Sequence, residues 1–159
     1  MLSECFRICF TGGPCGGKST AITEISTYFK KQGVPVVQVP EVASLIYGAG
    51  ASLDLSTYSE QEAINFQACI LNLQMGLESM LQKIGILTQM NKDMKHKKLF
   101  ILCDRGLQDG SAYLTSEQWE QVLKCNNLIM VHDSKIFSRY DVILHMVTAA
   151  DGAEEYYQT

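Results

Sequence analysis

Apolar positions along the chain follow two rhythms, and the two alternate. Phe6 to Thr11 is a short β-prone run, the pattern of a strand buried on both faces. From Lys18 to Gln32 the period lengthens. Ile22, Ile25 and Phe29 fall on one helical face, with Ala21 and Tyr28 beside them. Lys30 and Lys31 suit the negative end of that helix, Gly33 its cap, and Pro35 stops it. Val34 to Val39 is a second strand, closed by Pro40-Glu41. A short helix is expected over Val42 to Ile46 and a loop over Gly48 to Asp54.

Ser59-x-x-Glu62 is a capping box that opens a long helix. Phe66, Ile70, Leu73, Leu77, Met80, Ile84 and Leu87 follow at alternating steps of four and three. Such a stripe reads as core, each buried side chain contributing about 1.5–3 kcal/mol before entropy. A coiled-coil seam is the other reading. Gly85 is expected to kink or end the helix. Lys92 to Lys98 reads as a solvated turn. Leu99 to Cys103 is a third strand, Thr115-x-x-Gln118 caps a helix carrying Trp119, Val122 and Leu123, and Asp141 to Thr148 is a fourth strand. The tail from Asp151 is expected to fray.

Strands alternating with helices predict an α/β fold with a parallel sheet and right-handed crossovers. The ligand then lies beyond the carboxyl ends of the strands. At 159 residues, one domain over 1–159 is expected. A net charge of −4 gives no sign of a nucleic-acid surface. No run of eighteen uncharged apolar residues predicts a membrane span, and the N-terminus lacks the plan of a signal peptide. Six scattered cysteines, with no C-x-x-C pair, read as buried free thiols of a cytoplasmic protein.

Candidate chemistry begins where the first strand stops. Gly12-Gly13-Pro14-Cys15-Gly16-Gly17-Lys18-Ser19 fits G-x-x-x-x-G-K-[ST], the phosphate loop or Walker A motif, between a strand and a helix as it requires. Glycines let successive N–H groups form an anion cradle, and the helix N-terminus favours the same charge. In that motif Lys18 meets the β/γ-phosphates and the Ser19 hydroxyl ligates Mg²⁺, with Thr20 next in line. The expected ligand is thus a nucleoside triphosphate with magnesium.

Leu99 to Cys103 closes on Asp104, as in a Walker B strand, so Asp104 either binds Mg²⁺ or is a helix-capping or salt-bridged aspartate. Arg105 meets phosphate or pairs with a carboxylate. Glu41 acts as general base on a substrate hydroxyl or orients a loop. Asp109 and Asp151 are weaker candidates, more often turn residues.

Gly-Gly-Pro-Cys-Gly-Gly-Lys-Ser-Thr at 12–20, Val-Pro-Glu at 39–41, Cys-Asp-Arg-Gly at 103–106, Asp-Gly-Ser-Ala-Tyr at 109–113 and Val-Thr-Ala-Ala-Asp-Gly-Ala-Glu at 147–154 together resemble the NadR/TRPL-translocation-defect-14-type P-loop domain. The resemblance implies a three-layer P-loop fold of the nucleoside/nucleotide-kinase kind that binds GTP or ATP. It further implies either a regulatory role in membrane-protein trafficking, with phosphoinositide or membrane-surface contact, or a nucleoside-type kinase with Glu41 as base. Relatives of that type continue into an arginine-bearing lid and a further strand. This chain has only Arg7, Arg105 and Arg139, so lid and last strand are expected to be missing and turnover weak.

Overall fold

Four parallel strands form the centre of the computed structural model, which describes residues 5–51, 57–90, 98–128, 136 and 138–147. In chain order the elements are β1 (Cys5–Thr11), α1 (Lys18–Lys31), β2 (Val36–Val39), α2 (Val42–Gly48), α3 (Glu60–Met90), β3 (Leu99–Asp104), a 3₁₀ turn (Asp109–Tyr113), α4 (Ser116–Cys125) and β4 (Val142–His145). The strands lie side by side as β2-β3-β1-β4. β1 runs from Cys5 opposite Leu99 to Phe10 opposite Asp104, and Ile8 to Thr11 pair with Val142 to His145 on its other side. This register brings the ends of β1 and β3 level, so Thr11 and Asp104 open onto the same edge.

Alternation along β3 explains the layers. Leu99, Ile101 and Cys103 face α3 and α4 in one apolar cluster with Ile64, Leu71, Trp119, Val122 and Leu123. Leu102 faces the other way, joining Phe10, Ile22, Ile25 and Phe29 against α1. Sheet and helices on both faces make three layers, as the alternating rhythm predicts. Both expected capping boxes form. Gln118 N–H donates to Thr115 Oγ1 at 3.3 Å while Thr115 N–H donates to Gln118 Oε1 at 2.9 Å. Ser59 N–H donates to Glu62 Oε2 at 2.8 Å and Glu62 N–H to Ser59 Oγ at 3.3 Å.

The long helix departs from expectation. Of its predicted core stripe, Leu73, Met80, Ile84 and Leu87 are 41–60% exposed. The buried face is offset by a fraction of a turn, and carries Ile64, Gln67, Leu71, Gln74 and Glu78. Gln74 and Glu78 hydrogen-bond on this side to Arg105, Arg139 and Tyr140, and four of the seven stripe residues are turned outward. Nor does Gly85 end α3, which continues to Met90. A Cβ at Gly85 would lie 2.7 Å from Leu99 Cδ2, so glycine lets the helix cross close over the sheet. β2 starts at Val36 and β4 ends at His145, both shorter than expected. Lysines 92–97 of the basic turn, Asp151 and the tail fall outside the described residues.

Candidate functional site

Between β1 and α1 the chain reverses through two left-handed glycines, Gly12 at φ 124° and Gly17 at φ 76°. A Cβ at Gly12 would stand 2.1 Å from the Met146 carbonyl oxygen, so the loop passes β4 with no room for a side chain. Gly13, Pro14, Cys15 and Gly16 complete the loop, with Pro14 and Cys15 exposed. Lys18, Ser19 and Thr20 form the first turn of α1, Ser19 and Thr20 exposed. Lys18 is 7% exposed, and its Nζ donates to the carbonyls of Gly12 and Gly13 at 3.0 and 2.5 Å. Burial, then the nearby Arg105 guanidinium, lowers the Lys18 pKa from its ordinary value. The ammonium therefore waits at the loop, at the positive end of α1, where an anion is favoured.

Ser19 Oγ donates to Asp104 Oδ2 at 3.0 Å, joining the helix start to the end of β3. Burial raises the Asp104 pKa, against the Ser19 hydrogen bond that lowers it. Among the described residues no cluster of three His, Cys, Asp or Glu is arranged to hold a metal ion. Ser19 and Asp104, a hydroxyl and a carboxylate, meet there among the described residues, a donor set of the kind magnesium shares with phosphate oxygens and water.

Arg105 lies one residue beyond, in a left-handed conformation at φ 84° that is uncommon outside glycine. Its N–H donates to the Phe10 carbonyl at 3.0 Å. Its Nε donates to Glu41 Oε1 at 2.9 Å and its Nη1 to the Gly12 carbonyl at 2.5 Å, with Asp109 Oδ2 at 3.7 Å from Nη1. Glu41 precedes α2, and Ser44 Oγ donates to its Oε2 at 2.7 Å. Burial opposes the Glu41 charge, but hydrogen bonds from Ser44 and Arg105 outweigh it and lower the pKa. Thr11 Oγ1 donates to Asp109 Oδ1 at 2.7 Å, so Asp109 too belongs to this edge.

Beside this ion pair opens a cavity of about 280 Å³, walled by Glu41, Arg105 and Asp109 at one side and by Phe66, Gln67 and Trp119 at another. A polar strap lies beneath it. Gln74 Nε2 donates to the Arg105 carbonyl at 3.3 Å. Leu107 N–H donates to Tyr140 Oη at 3.0 Å, which donates to Glu78 at 2.7 Å. Glu78 is fully buried and also accepts from Arg139 Nε at 2.9 Å. Gln67, Gln74, Glu78 and Tyr140 were not among the residues the motifs single out. The recurrence of polar residues at 67, 74 and 78, beside the apolar stripe, is the signal that carried them.

A glycine-bent loop between a strand and a helix, with a buried lysine and a serine–aspartate pair at the ends of adjacent parallel strands, defines a P-loop domain of the nucleotide-binding type. Residues 7–158 match the model of an AAA domain, and the chain belongs to that family of P-loop NTPase-like domains. No curated protein and no solved structure gives a match. No helix among the described residues is long and apolar enough to cross a membrane.

Proposed function

We propose that the loop binds a magnesium–purine nucleoside triphosphate, GTP or ATP, and that the nucleotide is a phosphoryl donor to a hydroxylated small molecule in the adjoining cavity. The carrying observation is one side chain. Arg105 holds Glu41 in the cavity wall with its Nε and the phosphate-loop carbonyl of Gly12 with its Nη1. Cavity and loop thus share a wall, as transfer between two bound molecules requires.

In this reading the N–H groups of Gly13 and of residues 15–19, with the Lys18 ammonium, hold the polyphosphate, and Ser19 and Asp104 supply the two protein ligands for Mg²⁺. Magnesium, when bound, neutralises charge on the β- and γ-phosphates. Glu41 is ionised at neutral pH, as a carboxylate held below its ordinary value must be, and each carboxylate oxygen keeps a lone pair beyond those given to Arg105 and Ser44. It accepts the acceptor's hydroxyl proton as the new P–O bond forms. The bond between the γ-phosphorus and the bridging oxygen breaks, and the nucleoside diphosphate departs with the electron pair.

A binding domain with a regulatory role, such as membrane-protein trafficking, is the second reading. It is favoured by how the arginines are engaged: Arg7 bonds Gln82 and Arg139 bonds Glu78, leaving Arg105 as the guanidinium at the site. Titrating ATP and GTP calorimetrically, with and without Mg²⁺, tests the shared part. Glu41→Gln separates the readings. Nucleotide affinity should persist while transfer to an added hydroxyl compound drops at least about 100-fold. Equal turnover before and after the substitution defeats the transfer reading, and loss of Mg-dependent binding in the parent defeats both.

A further inference from the structure

The outward face of α3 is apolar where a solvated face is ordinarily charged. From Ala63 to Met90 the helix has two charged residues, Glu78 and Lys83, and Glu78 is fully buried. Leu73, Met80, Ile84 and Leu87 are exposed, with Cys69 and Lys83 among them. On a regular helix Leu73, Leu87 and Cys69 point within about 20° of Met80, and Ile84 about 40° to one side. The exposed apolar residues thus form one seam with the spacing of a two-stranded coiled coil.

Gly76 lies in that seam, about 40° to the other side of Met80. Glycine is unfavourable in the middle of a helix, and a Cβ at Gly76 would meet nothing within 4 Å. Gly85 has a reason inside the fold, its approach to Leu99, and Gly76 has no such neighbour. It leaves a notch between Leu73 and Met80. A twofold axis through Met80, running across the helix, sets Leu73 of one copy level with Leu87 of the other and Gly76 level with Ile84. Each notch then lies beside a branched side chain that fills it. Parallel pairing would set notch beside notch and leave a void.

The four exposed side chains leave roughly 400 Å² of each copy in water, so pairing removes about 800 Å², and Cys69 and the Lys83 stem bring the contact towards the ~1,200 Å² at which specific interfaces begin. The lysines stand three residues to either side of the axis, so no like charges meet at the centre.

We propose that a second copy of this chain covers this face, α3 packing antiparallel on α3 about Met80 in a homodimer. Each long helix then backs its own site through Gln74 and meets its twin on the opposite side.

Sedimentation equilibrium of the full chain should show reversible dimerisation with a dissociation constant of about 10–100 µM, as suits a small interface. Met80→Glu sets two carboxylates at the axis and should raise that constant at least about tenfold. Gly76→Ala should act in opposite senses. At about 2 µM, where the chain is monomeric, it raises the melting temperature by about 2–4 °C. It also weakens the dimer about threefold or more, because the notch is filled. The first effect without the second overturns the register. Orientation is read by crosslinking, with Cys15, Cys69 and Cys125, which are exposed and not buried as their apolar runs suggest, changed to serine. Leu73→Cys and Leu87→Cys chains of different mass should oxidise into the mixed dimer faster than into either homodimer. A chain monomeric up to about 500 µM, far above the constant expected for such an interface, overturns the proposal. So does a dimer indifferent to Met80→Glu, or crosslinking of Leu73→Cys to itself in preference. Flotation of a monomeric chain with phosphatidylcholine vesicles, abolished by Met80→Glu, gives the face to a lipid surface and overturns it too.

Discussion

The phosphate loop and the long helix lie against the same edge of the sheet, yet they obey their sequence in opposite ways. In the loop the motif residues sit where their local pattern puts them: Gly12 and Gly17 at positive φ, lysine buried at the anion end, serine abreast of the β3 aspartate, with Cys15 at φ 54° the exception to the pattern. In α3 the apolar stripe faces outward at Leu73, Met80, Ile84 and Leu87, and glutamines and a glutamate face inward. A loop of short-range geometry is encoded in consecutive residues. A helix has a rotational phase, and the phase is set by what it must touch. α3 touches the carbonyl of Arg105 and, through Tyr140, the amide of Leu107, and those groups call for polar partners.

The largest expected effect attacks the inward polar face. Glu78→Ala leaves Arg139 and Tyr140 without their buried partner, and should cost about 3–5 kcal/mol in urea unfolding. A loss below about 1 kcal/mol would return α3 to an ordinary apolar helix. Next comes the loop's own constraint. Gly12→Ala meets the Met146 carbonyl at positive φ and should cost about 2 kcal/mol or more by the same measurement. Lys18→Ala should weaken MgATP about 10–100-fold by calorimetry with little change in the melting temperature.

Acidity separates the two carboxylates at the site. Glu41 is held below its ordinary value of 4.5, so its contribution to stability is complete above that pH and is lost as the pH falls beneath it. Asp104 is held above its ordinary 3.8, so the fold favours its protonated form and gives up stability as the pH rises past that value. The melting temperature of Glu41→Gln should therefore fall less on acidification than the parent's. Asp104→Asn should remove the opposing slope. The smallest effects belong to the outward stripe. Leu73→Gln, Met80→Gln, Ile84→Gln and Leu87→Gln should each change stability by no more than about 0.5 kcal/mol, where a core stripe would lose several times that.

Much of the architecture was legible, and for identifiable reasons. β-branched runs bounded by Pro35, Gly33 and Asp104, and helices opened by Thr115 and Ser59, are local statements that the tertiary fold did not override. Glu41, Asp104 and Arg105 could be gathered at one edge because each follows a strand of a parallel sheet, whose carboxyl ends all point one way. Arg105 was open between phosphate and carboxylate, and it lies on the carboxylate of Glu41. The rest was not legible because it depends on rotation and depth. No spacing rule says that Gln74 finds a carbonyl thirty-one residues away, or that Gly85 is an approach to Leu99 and not an end. The cavity is a property of the space between α2, α3 and the 3₁₀ turn, and no single segment describes it.

The carbonyl oxygen of Gly12 receives two cationic donors, Lys18 from its own loop and Arg105 from across the sheet. A polyanion that draws the ammonium off this oxygen leaves the guanidinium there alone, free to tighten or to let go. The same guanidinium bonds Glu41. News of an arriving phosphate would thus cross from one chamber to the other through a single atom.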